Sequence, residues 1–343
     1  MQIKDNRWRG TGLPGDILDD IPWPSEDAGA PRALLALCPA AAATPLIVAA
    51  GFGSTVWVKD ERGRMNLGSF KALGAAYVIA HEAQKAGGED LQHSLVGRTY
   101  VTASAGNHGL SVAAGAAIFG AQAVIYLAAP VPESFADRLR ARGAEVVRAG
   151  SHYEASMEAA LEAAEKNGWT LLSDSSWPGY TDLPHRLMEG YLAMAAEAAE
   201  QVPDVPTHII LQAGVGGLAG ACAAHFRKVW GDAPHIIVVE PEAAPALYAS
   251  IEAGAFTPTT GPVSNMGRLD CKDASLIALK GLARDADAFA LISDAEASAA
   301  LTELAAIGME TSESGGAGLA VLGHLGLPVE ARVLCILSEG PAE

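Results

Sequence analysis

The sequence predicts an α/β protein of two lobes, each an open, mostly parallel sheet flanked by helices. Three observations predict it. Short apolar runs of strand length alternate with Ala-rich amphipathic stretches of helix length, the alternation comes in two series, and no repeat, charge block or low-complexity tract beyond the alanine bias breaks it. In the first series "RTYVTAS" from residue 98 reads as strand, 107–119 as helix, "AQAVIYLA" as strand, 132–142 as helix, "AEVVRAG" as strand, 153–167 as helix and "WTLLSD" as strand. In the second, helix 184–201 leads to strand "THIILQAG", helix 217–229, strand "HIIVVEP" and helix 243–252. After a loop come helices 294–306 and 316–325 and the strand "ARVLCILSEG". Residues 253–275 are rich in Gly, Pro and Thr and read as that loop, a lid or interface segment.

Bulk properties narrow the function. With 343 residues, 50% of them hydrophobic and 18% charged, the chain is long enough to bury the cores of two lobes. Forty acidic against 23 basic residues give a net charge of -17, which repels nucleic acid and anionic membrane surfaces. Cys38, Cys222, Cys271 and Cys335 are far apart with no C-x-x-C pair, so buried free thiols are expected rather than zinc or disulfides. The nine histidines do not cluster at ligand spacing, and neither H-E-x-x-H nor G-x-S-x-G occurs, so no metal is expected. The polar opening "MQIKDNRWRG" and the lack of a membrane-length apolar run point to a cytoplasmic protein without signal peptide or anchor.

Four stretches carry candidate chemistry, each at the carboxyl end of a strand, where open α/β sheets bind ligands. "QAGVGGLAG" (212–220) joins a strand to a helix through glycines that let backbone N–H groups approach a phosphate. By itself it also fits G-x-G-x-x-A with Glu240 as ribose acid, a nicotinamide-dehydrogenase reading, or a purely structural turn. In "TASAGNHG" (102–109), Ser104, Gly106 and the turn N–H groups suit a carboxylate, and Asn107 suits an oxygen acceptor. The alternative there is an Asn-capped helix start with a solvent-facing His108. In "GSFKALGAA" (68–76), Lys71 precedes a helical stretch. Held at a cleft mouth among small and aromatic neighbours, it should lose hydration, drop in pKa and condense with an aldehyde. Finally, "LLSDSSWPGY" offers Asp174 as acid or base, and the terminal "LSEG" offers Ser338 to a heteroaromatic nitrogen.

S-F-K-x-x-G-A, then S-x-G-N-H-G, then a glycine-rich loop, then a serine near the C-terminus, in that order, resembles the fold-type II pyridoxal-phosphate enzymes of the tryptophan synthase β-like group. "VKDERGRMNLGSFKALGAAY", "SDSSWPGYTDLP", "MEGY", "PTHIILQAGVGGLAG", "VVEPEAA", "NMGRLDC" and "SESGGAG" resemble the diaminopropionate ammonia-lyases within it, over most of the chain from about residue 58. The resemblance implies pyridoxal 5'-phosphate held by Lys71 as Schiff-base residue and proton carrier. Asn107 would lie at the ring hydroxyl, Gly214, Val215, Gly216, Gly217 and Leu218 along the phosphate, and Ser338 at the pyridine nitrogen. Asp174 matches an acidic catalytic residue, and the substrate carboxylate falls on Ser104, Ala105, Gly106, Asn107 and His108. It further implies a homodimer, a large cofactor-binding domain (1–91 and 189–343) and a small mobile domain (92–188).

The implied reaction is α,β-elimination on 2,3-diaminopropionate or a 3-hydroxy amino acid, giving a 2-oxo acid and ammonia. β-Replacement and racemisation share the scaffold, and a catalytically idle binding module is a further alternative. One position departs from the lyases: they carry an aspartate where this chain has Ala105, so the block reads as in threonine and serine dehydratases. Alanine transfers no protons, which weighs against a D-configured diamino substrate.

Overall fold

The computed structural model describes residues 1–87, 91–104 and 106–341. Its elements are, in chain order, β1 (Gln2–Asp5), α1 (Gly29–Leu35), β2 (Leu46–Ala49), β3 (Thr55–Asp60), α2 (Ala75–Ala86), β4 (Thr99–Ala103), α3 (Asn107–Ile118), β5 (Gln122–Leu127), α4 (Glu133–Arg140), β6 (Glu145–Arg148) and α5 (Tyr153–Asn167). They continue with β7 (Thr170–Leu171), α6 (Asp182–Gln201), β8 (His208–Gln212), α7 (Gly217–Trp230), β9 (His235–Pro241), α8 (Ala246–Ala253), α9 (Leu276–Asp285), β10 (Ala288–Ile292), α10 (Asp294–Ala306), α11 (Glu313–Ala320) and β11 (Arg332–Leu337).

The strands form two sheets. The larger has the order β1-β10-β9-β8-β11-β3-β2, parallel from β10 to β3 with an antiparallel strand at each edge. The smaller, β6-β5-β4-β7, is wholly parallel. Helices cover the parallel strands on both faces, so Ile209, Ile210, Leu211, Val238, Val239, Leu334 and Ile336 are fully buried. Each contributes about 1.5–3 kcal/mol of apolar burial. No helix among the described residues is long and apolar enough to cross a membrane.

From residue 98 on, the predicted alternation matches these elements to within a few residues at most ends, and 254–275 holds no helix or strand. The reading passes over α9 and β10 and places the last helix three residues late. Helix α9 buries Leu276, Ile277, Ala278, Leu279, Leu282 and Ala283 opposite a polar stripe at Lys280 and Arg284, but it is only ten residues long and follows directly on the irregular loop. Helix α11 contains Gly315, Gly316 and Gly318, poor helix formers, and starts early because the Ser312 hydroxyl accepts the Gly315 N–H at 3.0 Å. Of the four free thiols, Cys222 and Cys335 are buried as expected, whereas Cys38 and Cys271 are half-buried.

A buried ion cluster ties β3 to α6 and leads the chain toward Lys71. Lys59 Nζ lies 2.7 Å and Arg64 Nη2 2.6 Å from Glu197 Oε2, and Arg64 Nε lies 2.8 Å from Glu61 Oε2. Two cations meet two carboxylates, so no charge is stranded. Just beyond, Met65 and Asn66 adopt φ of 49° and 56°, left-handed values that a β-carbon resists and the surrounding packing must impose. Replacing Glu197 by alanine should leave Lys59 and Arg64 sharing one carboxylate and destabilise the fold by about 3–5 kcal/mol. A lowered urea midpoint would show it; an unchanged midpoint would mean the cluster is energetically idle.

Candidate active site

Each sheet reverses its order once, and the two reversals build the site. Strands β8, β9 and β10 follow one another outward, then β11 returns to the other side of β8. In the smaller sheet, β4, β5 and β6 run outward and β7 returns beside β4. Crevices open at such points beyond the carboxyl ends of the strands. Past β8 lies the glycine loop, past β11 Ser338 and Glu339, past β4 the turn at Ser104, and past β7 Asp174. Hydrogen bonds join the two groups. Ser176 N donates to Ser275 Oγ at 3.1 Å, and Ser275 N to Val215 O at 2.9 Å, which registers the Asp174 segment on the glycine loop.

Lys71 lies in a single 3-10 turn, Phe70–Leu73, in front of α2. The turn is held by Phe70 N donating to Ser338 O at 3.0 Å. It lies against α6 because Gly190 has no side chain: a β-carbon there would stand 2.1 Å from Leu73 O. Lys71 Nζ donates to Asp174 Oδ2 at 2.6 Å, both side chains 20% exposed, and sits 5.2 and 5.7 Å from the rings of Phe70 and Tyr191.

This pairing corrects the expected fall in the lysine pKa. Burial, the largest single influence, does pull Lys71 down, but Asp174 and Tyr191 together outweigh it and hold the ammonium above its ordinary range. Asp174 is likewise pushed up by burial and pulled further down by Lys71 and His108, to below the usual carboxylate range. At rest it is therefore an ionised carboxylate paired with the Lys71 ammonium. Burial pushes the Tyr191 hydroxyl up to about 12 against the pull of Lys71. The turn carrying Asp174 is braced by Tyr180, whose hydroxyl accepts from Ser173 N at 3.0 Å and donates to Leu171 O at 2.9 Å.

At the β4 end, Ser104 Oγ accepts the N–H groups of Gly106 and Gly109, each at 3.2 Å, and α3 starts without a side-chain cap. Ala105 lies outside the described residues. His108 does not face solvent: its ring is buried with Nε2 2.8 Å from Leu172 O, burial lowers its pKa, and its Nδ1 has no hydrogen-bond partner among the described residues. Asn107 Nδ2 donates to Glu339 Oε2, which also lies 3.0 Å from Arg268 Nε. The reading stopped at Ser338; neither Glu339 nor Arg268 stood out, although both fall inside the quoted blocks "LSEG" and "NMGRLDC".

The residues present fit a phosphorylated aldehyde. Helix α7 has 14 residues and no side-chain cap, and it is entered through Gly214, Val215 and Gly216, so no side chain claims its first-turn N–H groups. Gly216 has φ of 98°, and a β-carbon there would stand 2.9 Å from that of Ala278. Lys71 supplies an amine, while the buried hydroxyls of Ser69 and Tyr191 have no hydrogen-bond partner among the described residues.

Glu240 is lost to the dehydrogenase reading. It is fully buried and accepts the N–H groups of Leu247 and Tyr248 at 2.8 and 2.7 Å, capping α8 rather than facing a ligand. Burial raises it to about 8 from an ordinary 4.5, although the two N–H groups pull it down. A carboxyl raised on folding stabilises below its unfolded pKa and loses that contribution as pH climbs through the folded value. Stability should therefore fall between pH 4.5 and 8 by up to about 1.4 kcal/mol per unit. Urea midpoints should drop from pH 6 to pH 9 in the native chain and much less in Glu240→Gln; equal drops would rule Glu240 out as the cause.

Comparison with known proteins places this geometry. The family model described as "Pyridoxal-phosphate dependent enzyme" matches residues 37–339. The diaminopropionate ammonia-lyase of Salmonella typhimurium is 32% identical, with 84% of this chain and 81% of that protein covered. The L-threonine ammonia-lyase of Thermotoga maritima is 31% identical over 59% of this chain and 46% of its own length. A crystal structure of the diaminopropionate ammonia-lyase of Escherichia coli in complex with D-serine superimposes with a TM-score of 0.88 at 29% identity, covering 99% of this chain and 93% of that one.

Proposed function

The chain belongs to the pyridoxal-phosphate dependent enzyme family, and from that premise we propose that it catalyses α,β-elimination on a small β-substituted amino acid, releasing a 2-oxo acid and ammonia. The observation that carries the reading is the 2.6 Å contact between Lys71 Nζ and Asp174 Oδ2, where the two crevices meet. Bound pyridoxal phosphate supplies the electron sink that acidifies the substrate α-proton. Lys71 would anchor it, the backbone of Gly214, Val215, Gly216, Gly217 and Leu218 would hold its phosphate, and Asn107 and Ser338 would flank its ring.

The substrate carboxylate is assigned to the turn from Ser104 to His108, where the positive end of the α3 dipole favours an anion beside the N–H groups that the Ser104 hydroxyl takes. Lys71 Nζ, once it has given up the proton it holds at rest, takes the α-proton as the free amine. Asp174 Oδ2, its hydrogen-bond partner, orients that ammonium, and the departing amine or hydroxyl is protonated from Asp174 or from the cofactor phosphate. Residues 92–188 act as the smaller lobe and close over 1–91 and 189–343 to exclude water.

Ala105 adds no proton-transfer group, which favours an L-3-hydroxy amino acid over a D-configured diamino acid. The test is a screen of L- and D-serine, threonine, 3-hydroxyaspartate and 2,3-diaminopropionate with the cofactor-loaded protein, scored for 2-oxo acid and ammonia together. Release from L-hydroxy substrates supports the reading; a loaded protein that releases neither product from any of them sinks elimination. Free thiols throughout fit a reducing, cytoplasmic setting, and light scattering tests the homodimer that the resemblance implies.

A further inference from the structure

The reading above gives Ser338 a task and leaves its neighbour Glu339 without one, yet Glu339 is the more heavily engaged. Its residue is 4% exposed and its carboxylate meets three other segments beyond the end of β11. It accepts from the Asn107 amide at the head of α3, lies 3.0 Å from Arg268 Nε in the connection between α8 and α9, and accepts from Ser312 Oγ at the start of α11. The backbone is clamped too: Thr311 Oγ1 donates to Glu339 O at 2.6 Å, and Gly340 N donates to Gly68 O at 3.1 Å. A β-carbon on Gly315 would stand 2.8 Å from Glu339 Cγ, so α11 closes on the side chain as well.

We propose that Glu339 is a positioning residue that fixes which end of the Asn107 amide faces the cofactor, an inference that rests on the reading above. An asparagine side chain has a donating and an accepting end of nearly the same shape, and rotation exchanges them at little cost. A carboxylate accepts only. With Glu339 held by Arg268 and Ser312, Asn107 must turn Nδ2 toward it, which leaves the second Nδ2 hydrogen to a ring oxygen. The same bond ties α3, from the smaller sheet's unit, to the end of β11 in the larger.

The test uses pyridoxal phosphate as titrant and its absorbance change on binding as readout, with turnover measured separately. Glu339→Gln keeps a carbonyl oxygen for Asn107 and Arg268 and an amide for Ser312; Glu339→Asp keeps the charge but withdraws it by one methylene; Glu339→Ala removes both. Cofactor affinity should fall roughly tenfold in the Ala and Asp variants and stay within about twofold of native in Gln. Asn107→Ala should lose as much, and the double variant with Glu339→Ala should be no worse than the poorer single. A purely structural role would lower the thermal midpoint without that coupling.

Additive losses, or a Gln variant as weak as Ala, would overturn the positioning role. A native chain that takes up no cofactor would sink the whole reading of the site, whereas a loaded native chain with additive variants would sink Glu339 alone. If Glu339→Ala does not fold, the same cycle runs with Glu339→Asp.

Discussion

Lys71→Ala is expected to purify without bound pyridoxal phosphate chromophore and to lose elimination activity by roughly 10²–10⁴-fold from proton transfer alone, with the covalent anchor lost in addition. The replacement deletes the Lys71 amine at the junction of the two crevices and leaves Asp174 buried without that cation. Its carboxylate, no longer held down by Lys71, should rise in pKa, because burial alone favours the neutral form. The fold should survive, since the turn is held by backbone bonds, Phe70 N to Ser338 O and Gly74 N to Lys71 O at 3.1 Å, which alanine also makes. Mass spectrometry of the borohydride-reduced native protein should place the cofactor on Lys71. An adduct at another lysine, or a yellow Lys71→Ala protein with native turnover, would end the assignment.

Asp174→Asn separates the two halves of the pair. The amide cannot accept a proton, so turnover should fall by about 10²–10⁴-fold, yet cofactor should still load because Lys71 remains. Its pKa should move the opposite way to the native case. Without the carboxylate, burial dominates and the lysine falls, which favours the neutral amine that condenses with an aldehyde. The variant should thus bind pyridoxal phosphate at a lower pH than the native protein, read as the pH midpoint of chromophore formation. If that midpoint stays put or rises, Asp174 does not govern the charge on Lys71. Together the two variants make a contrast: one loses cofactor and chemistry, the other chemistry alone.

The element order was legible because burial repeats locally. A strand end followed by a helix start writes its period and its glycines into a dozen contiguous residues, as "QAGVGGLAG" and "TASAGNHG" do. Lys71, Asp174, Asn107 and Ser338 could be picked out because each lies at such an end, and the resemblance gave them a joint task. Strand β10 escaped for the converse reason: buried at every residue, it carries no alternation between wet and dry faces.

What no local pattern contains is strand order, and with it the company each side chain keeps. Only the return of β11 beside β8, and of β7 beside β4, turns four separate loops into facing crevices. Lys71 and Asp174 are 103 positions apart along the chain, Asn107 and Glu339 are 232, and neither pairing leaves a trace in spacing. The charge on Lys71 shows the physical reason. Burial, foreseeable from its neighbours in sequence, pulls its pKa one way; a carboxylate at 2.6 Å and Tyr191, both brought in by the fold, pull it the other and together outweigh burial.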